Sequence, residues 1–217
     1  MSEALLEQLF DSLTDTLLMV GTASLVALLL GTVLGVVLFA TTERGLWRQP
    51  VVNRGLGALV NATRSTPFII LMVAIIPFTR LIAGTSIGTG AAIVPLAVAA
   101  VPFFARLVES ALREVDRGLI EAAQAMGATP RQILGKVLLP EALPSLLRGL
   151  TLTIISLIGY SAMAGAVGGG GLGDLGIRYG YQRFNPTVML AVVAVLIVLV
   201  QLVQSLGDFA ARRLQKK

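Results

Sequence analysis

The chain has 217 residues, of which 55% are hydrophobic and only 13% are charged, and its formal net charge is +5. Soluble globular domains carry about 25% charged residues, so this composition, with a mean hydropathy of +0.85, indicates a single-domain membrane protein. The sequence contains no cysteine and no histidine, which excludes disulfides, the usual zinc sites and nucleophilic sites of the Ser-His-Asp or Cys-His type.

Five apolar stretches are long enough to cross a bilayer as helices. A span needs about 20 apolar residues, and four stretches of that length contain no charged residue. A fifth stretch, between Arg54 and Arg80, is interrupted only by Arg64, whose long side chain can reach the membrane surface. We therefore predict an all-α membrane protein with transmembrane helices at 17–40, 57–79, 88–108, 150–167 and 186–206.

The distribution of basic residues predicts the orientation of these helices. An external N-terminus leaves Arg80, Arg178 and Arg183 outside and places the other 14 of the 17 basic residues inside, as the positive-inside rule requires. The basic residues are spread over loops, so the pI near 10.2 reflects membrane topology rather than nucleic-acid binding. In this orientation the C-terminus is cytoplasmic. We expect a transmembrane domain at 13–204 with a cytoplasmic loop at 109–149, followed by a basic cytoplasmic tail at 205–217.

Small and helix-kinking residues occur in the first three spans. Gly31 and Gly35 form a GxxxG pattern, which lets helices pack closely, and we assign it to contacts within one copy of the chain rather than between copies. Four prolines are expected to kink helices, and broken helices often line substrate paths: Pro67, Pro77, Pro95 and Pro102. Kinks without a function fit the sequence equally well.

A long polar segment with helical character separates the third and fourth spans. Residues 121–123 begin a compact helical turn with small side chains, and Gly127 suits a helix C-terminal cap. Thr129 is then the N-cap of a new helix, with Pro130 at its first position and Gln132 as the capping-box partner. We predict two short helices that meet at a sharp bend. A plain amphipathic hairpin lying on the membrane is the alternative.

The segment after the fourth span is rich in glycine. Residues 171–176 match G-x-G-x-x-G, but they follow a predicted membrane helix rather than a strand, which argues against a dinucleotide site. Together with the glycines at 168–170 they predict a tight external turn where backbones approach closely. Contact with a docking protein is the alternative role. The chain also has no G-x-x-x-x-G-K-[ST] phosphate loop, so we do not expect it to hydrolyse ATP.

No predicted span carries an Asp, Glu, Lys or Arg near its middle. Ion-coupled and proton-coupled transporters usually carry such groups, although a sodium site built from backbone carbonyls would not need them. The pattern therefore weakens that class without excluding it. An active transporter of this composition would take its energy from a partner that hydrolyses ATP.

The polar segment carries a family signature. Its pattern is Glu-Ala-Ala-x-x-x-Gly, then nine residues, an aliphatic residue, x and Leu-Pro, and valine holds the aliphatic position. This pattern resembles the cytoplasmic loop of ABC importer permeases. The resemblance implies a fold like that of type I ABC importers, and it assigns the coupling to an ATPase subunit to nine residues: Glu121, Ala122, Ala123, Met126, Gly127, Ala128, Val137, Leu139 and Pro140.

Further stretches resemble the permease subunits of bacterial methionine importers, namely 64–70, 76–80, 84–88 and 159–163. This resemblance implies a homodimeric permease of the bacterial inner membrane that moves L-methionine, and D-methionine as well. The implied partners are two copies of a cytoplasmic ATPase that binds Mg-ATP, and an external methionine-binding protein. Catalytic residues, cofactors and metals are not expected in the chain itself, and nucleic acid is not an expected partner.

Three residues of the fourth span are candidates for the translocation pathway: Tyr160, Ser161 and Met163. Tyrosine and serine offer hydrogen bonds to the polar ends of an amino acid, and methionine is a soft, adaptable surface for a thioether. Ordinary helix packing is the alternative reading of all three residues.

Three other functions compete with methionine import. The nearest is the same machine with another small amino acid as its substrate. A stand-alone ion-coupled transporter is disfavoured by the absence of charged residues within the spans. A membrane enzyme is the weakest candidate, because histidine, cysteine and buried carboxylate pairs are missing.

Overall fold

The computed structural model describes residues 3–43 and 45–214, and the regular structure of that part of the chain is helical throughout. The helices are α1 Glu3–Val26, α2 Thr32–Ala40, α3 Pro50–Ser65, α4 Phe68–Ala74, α5 Ile76–Ala83, α6 Thr89–Arg113, α7 Arg117–Ala125, α8 Pro130–Ile133, α9 Leu139–Gly165, α10 Gly171–Leu175 and α11 Pro186–Leu214. Three π-helical turns make α1–α2 and α8–α9 continuous and extend α10: Ala27–Gly31, Leu134–Leu138 and Gly176–Tyr181.

Four helical runs within the described residues are long and apolar enough to cross a membrane: Leu5–Ala40, Thr89–Arg113, Pro130–Gly165 and Pro186–Leu214. They correspond to the predicted first, third, fourth and fifth spans, of which the third starts one residue later and the fourth ends two residues earlier than predicted. The predicted single helix at 57–79 is wrong, because α3 and α4 meet at an angle of 106°. A fifth span exists only if this bent pair crosses the membrane as one unit.

Prolines account for the broken helix. Pro67 has no backbone N–H to donate, and its ring forces Thr66 into an extended conformation with ψ of 125°, which ends α3. Pro77 lies in the first turn of α5, where a proline is tolerated. The predicted kinks at these two prolines are therefore confirmed as helix breaks. Pro95 and Pro102 lie inside α6, which continues past both.

Helix α6 lies at the centre of the bundle and contacts the first helical run, α3, α5 and α9. Gly31 and Gly35 allow the closest of these contacts, since a Cβ on Gly35 would lie 2.5 Å from the Ala105 carbonyl oxygen. Both glycines are buried within one copy of the chain, which confirms the assignment of the GxxxG pattern to internal packing.

The acidic N-terminal segment is helical and belongs to the bundle. Helix α1 begins at Glu3, well before the predicted start at 17, and Leu9 packs against Leu172 of α10 and Val188 of α11. The apolar residues Leu5, Leu9 and Leu13 recur every four positions, which places them on one side of the helix, against this apolar cluster.

The last helix runs without a break into the predicted basic tail. Residues 205–214 of that tail are the end of α11. The remaining three residues, 215–217, lie outside the described part of the chain.

Candidate functional site: a helical hairpin and the open face of α9

Helices α7 and α8 form a hairpin whose ends are fixed by side-chain caps. The Asp116 carboxylate accepts a hydrogen bond from the Gly118 N–H at 2.7 Å and starts α7. Gly127 ends the helix with a φ of 78°, in the left-handed region. Thr129 and Gln132 then form a complete capping box, with Pro130 in the first turn. The predicted two helices with a bend at Gly127 are confirmed.

One detail of the prediction is wrong. Residues 121–123 do not begin the first helix of the hairpin, because α7 starts at Arg117, one turn earlier. The capping aspartate at 116 was the signal for this start, since Asp is a strong N-cap residue.

The inner side of the hairpin is part of the main core. Ala123 of α7 and Ile133 of α8 are 4% and 1% exposed, and both belong to the same apolar cluster as Leu112 of α6. Leu138, in the π-helical turn before α9, is fully buried in that cluster. The hairpin is therefore fixed to the ends of α6 and α9, and a force applied to it reaches both long helices.

The outer side of α7 carries an exposed apolar stripe. Leu119, Ala122 and Met126 are spaced three and four residues apart, so they share one face of the helix. Met126 is 83% exposed and Leu119 is 44% exposed. Apolar side chains that project from the end of a bundle, next to a capped and rigid bend, form a surface suited to contact with another protein.

The nine predicted coupling residues divide between this surface and its support. Glu121, Ala122, Met126, Gly127 and Pro140 are exposed. The other four pack inward against the apolar core: Ala123, Ala128, Val137 and Leu139. The small side chain of Ala123 thus serves the hairpin's own packing. No heavy atom lies within 4 Å of a Cβ built on Gly127, so this glycine is needed for its backbone conformation and the bend itself is open.

A polar cavity of about 650 Å³ lies beside the hairpin, between the end of α2 and the α6–α7 corner. Charged side chains of both signs line it, including Glu43, Arg113, Arg117 and Glu121. Glu121 of the signature therefore lines this cavity and is also exposed to solvent.

A buried ionic network at the end of α6 was missed in the sequence. The Glu109 side chain is 5% exposed, and it accepts hydrogen bonds from Arg106 at 2.6 Å and Arg113 at 2.5 Å. Arg106 also donates to the Gly57 carbonyl and to the Asn61 side chain of α3, which ties α3 to α6. Two guanidinium groups compensate the burial of one carboxylate. The spacing of one glutamate with arginines at i−3 and i+4 was the signal that could have revealed it.

The three predicted pathway residues do not share one surface. The Tyr160 ring stacks on Phe68 of α4, with ring centroids 4.7 Å apart, and Met163 is 46% exposed. Ser161 lies on the opposite, buried side of α9, where its hydroxyl donates to the Ile158 carbonyl at 2.8 Å. A pathway role for Tyr160 and Met163 stays a prediction. Ser161 is placed for packing within the bundle.

An exposed stripe runs along α9 on the side of Met163. It comprises Arg148, Leu152, Gly159 and Met163, which fall within about 60° of each other around the helix. The residues that pack α9 against α1 and α11, such as Leu157, lie on the other side. Within one copy of the chain, one face of α9 is therefore largely open between Arg148 and Met163.

The glycine-rich segment at the far end of α9 is closely packed. Its turn is stabilised by glycines with positive φ, among them Gly168 at 88° and Gly170 at 79°, and the Gly88 N–H donates to the Gly168 carbonyl at 2.8 Å. The predicted close approach of backbones is confirmed, because a Cβ on Gly173 would overlap the Ala162 carbonyl oxygen. Most of the G-x-G-x-x-G pattern is helical, since it forms α10, and the turn precedes it.

An ion pair between Arg178 and Asp174 lies at this end of the bundle. Arg178 donates to the Asp174 carboxylate at 2.5 Å, and this hydrogen bond, together with the negative charge of Asp174, raises the pKa of Arg178 above its ordinary value. Asp174 follows directly on Gly173, so the pair fixes the π-helical turn to the packed α9–α10 contact.

The chain matches the family model for binding-protein-dependent transport system inner membrane components over residues 27–216. It is 59% identical to a probable D-methionine transport system permease protein, MetI, of Vibrio cholerae, over 94% of this chain and 90% of that protein. It is 44% identical to the methionine import system permease protein MetP of Bacillus subtilis, over 83% and 81% of the two chains. A solved structure described as an inward-facing conformation of the MetNI methionine ABC transporter contains a chain 50% identical to this one, with a TM-score of 0.97 and complete coverage of both chains.

Proposed function

Because the chain belongs to the family of binding-protein-dependent transport system inner membrane components, we propose that it is the permease subunit of a bacterial ABC importer that moves L- and D-methionine across the inner membrane. The observation that carries this proposal is the likeness to a methionine ABC transporter chain over the full length, with a TM-score of 0.97. The capped hairpin with its exposed apolar stripe is the feature of the fold that such a subunit needs.

The hairpin is the contact with the ATPase. A permease without a nucleotide site takes its energy through a mechanical contact, and α7 offers Leu119, Ala122 and Met126 on a rigid, projecting face. Aromatic and methionine side chains are enriched in the cores of protein interfaces, and a few such anchors carry most of the binding energy. Mg-ATP binds and is hydrolysed in that partner, of which two copies serve two copies of this chain.

The open face of α9 belongs to the pathway. Two copies of the chain that bring their open α9 faces toward a common axis enclose a passage, with Met163 along it and Tyr160 at its edge, stacked on Phe68. The hairpin end is cytoplasmic and the glycine-rich end is external, where it receives an external methionine-binding protein.

Transport follows alternating access. Closure of the ATPase dimer moves the two hairpins, and because each hairpin shares a core with α6 and α9, both long helices tilt with it. The pathway then opens outward, and hydrolysis returns it to the inward-open state. No charged group within the spans is required to bind a coupling ion.

Met126→Glu tests the contact with the ATPase. We expect this variant to lose co-purification with the ATPase subunit and ATP-driven uptake of labelled methionine in proteoliposomes, because a charge at the centre of an apolar interface costs about 2 kcal/mol or more. Gln124→Glu is the matched control, since it adds the same charge on the same helix but away from the stripe.

The same proteoliposomes separate the competing functions. Uptake that needs ATP, the ATPase and a methionine-loaded binding protein supports the proposal. ATP-driven uptake of a different amino acid in preference to methionine would overturn the substrate, and uptake driven by an ion gradient in the absence of the ATPase would overturn the class.

A further inference from the structure

A second cavity lies between α6 and α9 at the hairpin end of the bundle. Its volume is about 380 Å³, within the range of 300–1,000 Å³ that is usual for small-molecule sites. Helix α9 contributes Ser145, Arg148 and Leu152 to its lining. The α6 side contributes Leu107 and Glu114, the residue that directly follows α6. Gly149 closes the inner wall, since a Cβ there would lie 3.2 Å from the Leu107 Cβ.

The cavity holds two opposite charges that are not paired with each other. Glu114 accepts a hydrogen bond from the Ser145 hydroxyl at 3.3 Å. Among the salt bridges of the described residues, none involves Glu114 or Arg148. A carboxylate on the α6 side and a guanidinium on the α9 side that do not pair with each other leave one anionic and one cationic position open to a ligand.

We propose that this cavity binds the zwitterionic head of an α-amino acid on its way into the cytoplasm. Arg148 pairs with the ligand carboxylate and Glu114 with its ammonium group, while Leu107 and Leu152 contact the side chain. This site rests on the proposed function for its direction of transport and its physiological ligand.

The position of the cavity fits a site of release. Arg148 and Leu152 belong to the exposed stripe of α9 that leads from Met163 at the other end of the helix. A substrate that follows the open face thus meets the two charges where the passage ends. Both charged side chains are solvent-exposed, so their ion pairs with a ligand are weak and the ligand leaves readily.

The absence of cysteine from the chain allows a direct binding test. In the purified complex with its ATPase, Leu152→Cys provides one thiol within the cavity, and peptide mass spectrometry measures its modification by a soluble thiol reagent. We expect methionine to slow this modification. Methionine amide lacks the carboxylate and N-acetylmethionine lacks the ammonium group, so neither compound should protect the thiol.

Variants of the two charges complete the test. In the Leu152→Cys background, Arg148→Gln and Glu114→Gln should each raise the methionine concentration for half-protection about threefold, because each removes one solvent-exposed ion pair with the ligand. Arg148→Lys should restore part of the protection. Arg212→Gln, which removes an exposed positive charge at the end of α11, should leave it unchanged. Leu143→Cys, on another side of α9, should show no protection.

The outcomes separate the site from the function. Methionine uptake in parallel proteoliposomes, without protection of the thiol by methionine, would overturn the site and leave the importer intact. Protection by another zwitterionic amino acid that the complex transports in place of methionine would support the site and overturn only the substrate. If both analogues protected the thiol as well as methionine does, the cavity would be purely apolar, and the proposed zwitterion site would be overturned. Phosphatidylethanolamine also carries both charges, so the thiol is tested in lipid nanodiscs without amino acid. Protection in phosphatidylethanolamine nanodiscs but not in phosphatidylglycerol nanodiscs would assign the cavity to a lipid headgroup instead.

Discussion

The two ends of the bundle both depend on glycine, but for opposite physical reasons. Gly127 at the hairpin end has a φ of 78° and open space around it. Gly173 at the other end has ordinary backbone geometry, and the Ala162 backbone lies where its Cβ would be. The hairpin bend is thus set by local conformation, whereas the α9–α10 contact is set by tertiary packing. The first leaves a surface free for a partner, and the second closes the bundle.

The largest loss of stability is expected at the packed α9–α10 end of the bundle. Gly173→Ala places a methyl group against the Ala162 carbonyl, and the three nearest atoms are all backbone atoms of Ala162, so no flexible side chain can move away. Overpacking of this kind costs about 3 kcal/mol, so we expect a marked fall in the apparent Tm of the purified protein. The measurement is thermal unfolding in detergent. Gly159→Ala is the control, because nothing lies within 4 Å of its Cβ, and an equal Tm loss there would contradict the packing argument.

An intermediate loss of stability is expected when the Glu109 ion-pair network at the hairpin end of α6 is broken. Glu109→Gln removes the carboxylate that holds Arg106 and Arg113, and hydrogen bonds to charged groups contribute about 2 kcal/mol. Thermal unfolding again measures the loss of stability. The variant also frees one side of Arg106, the residue that donates to the Gly57 carbonyl of α3, and so weakens the link between α3 and α6. Glu43→Gln is the matched control: its pair with Arg54 spans 3.7 Å on the surface and contributes less than about 1 kcal/mol. Comparable losses in the two variants would contradict a special role of the network.

The smallest effect on stability is expected at Gly127. Gly127→Ala must adopt a left-handed conformation, which costs about 1–2 kcal/mol for a residue with a Cβ, but it meets no neighbouring atom. Gly127→Asn should cost less, since asparagine tolerates this conformation. A bulkier Gly127→Arg should therefore remain folded and yet lose ATP-driven transport, because its side chain occupies the surface proposed to contact the ATPase. Unfolding of Gly127→Arg comparable with that of Gly173→Ala would erase the distinction between the two ends, and intact transport would remove the hairpin from the coupling.

Elements that depend on local chemistry were predictable from the sequence. The capping box of Thr129 and Gln132 and the C-cap at Gly127 involve residues within one helical turn, so the sequence alone specifies them. The apolar spans were predictable for a similar reason, because membrane insertion depends on continuous hydrophobicity rather than on the packing of distant segments.

Elements that depend on distant contacts were not predictable in the same way. Pro67 predicted a kink in the segment 57–79, but the segment has enough hydrophobicity for one straight span, and the size of the turn, 106°, does not follow from the proline alone. Ser161 and Met163 lie two residues apart, and the bundle buries the polar serine while it leaves the apolar methionine exposed. Glycine has poor helix propensity, so the sequence alone did not predict helix α10. The helix forms in contact with α9, and that contact leaves no room for residues larger than glycine.

The helical run from Pro130 to Gly165 has a mechanical consequence. Its 36 residues extend about 54 Å at 1.5 Å per residue. One end is embedded in the hairpin and the other meets the glycine turn, so a tilt of about 5° at the hairpin displaces the far end by about 5 Å, close to one helical pitch. In the importer proposed above, the run acts as a lever arm: a motor at one side of the membrane moves a gate at the other side through one continuous helical run, without any signal relayed from residue to residue.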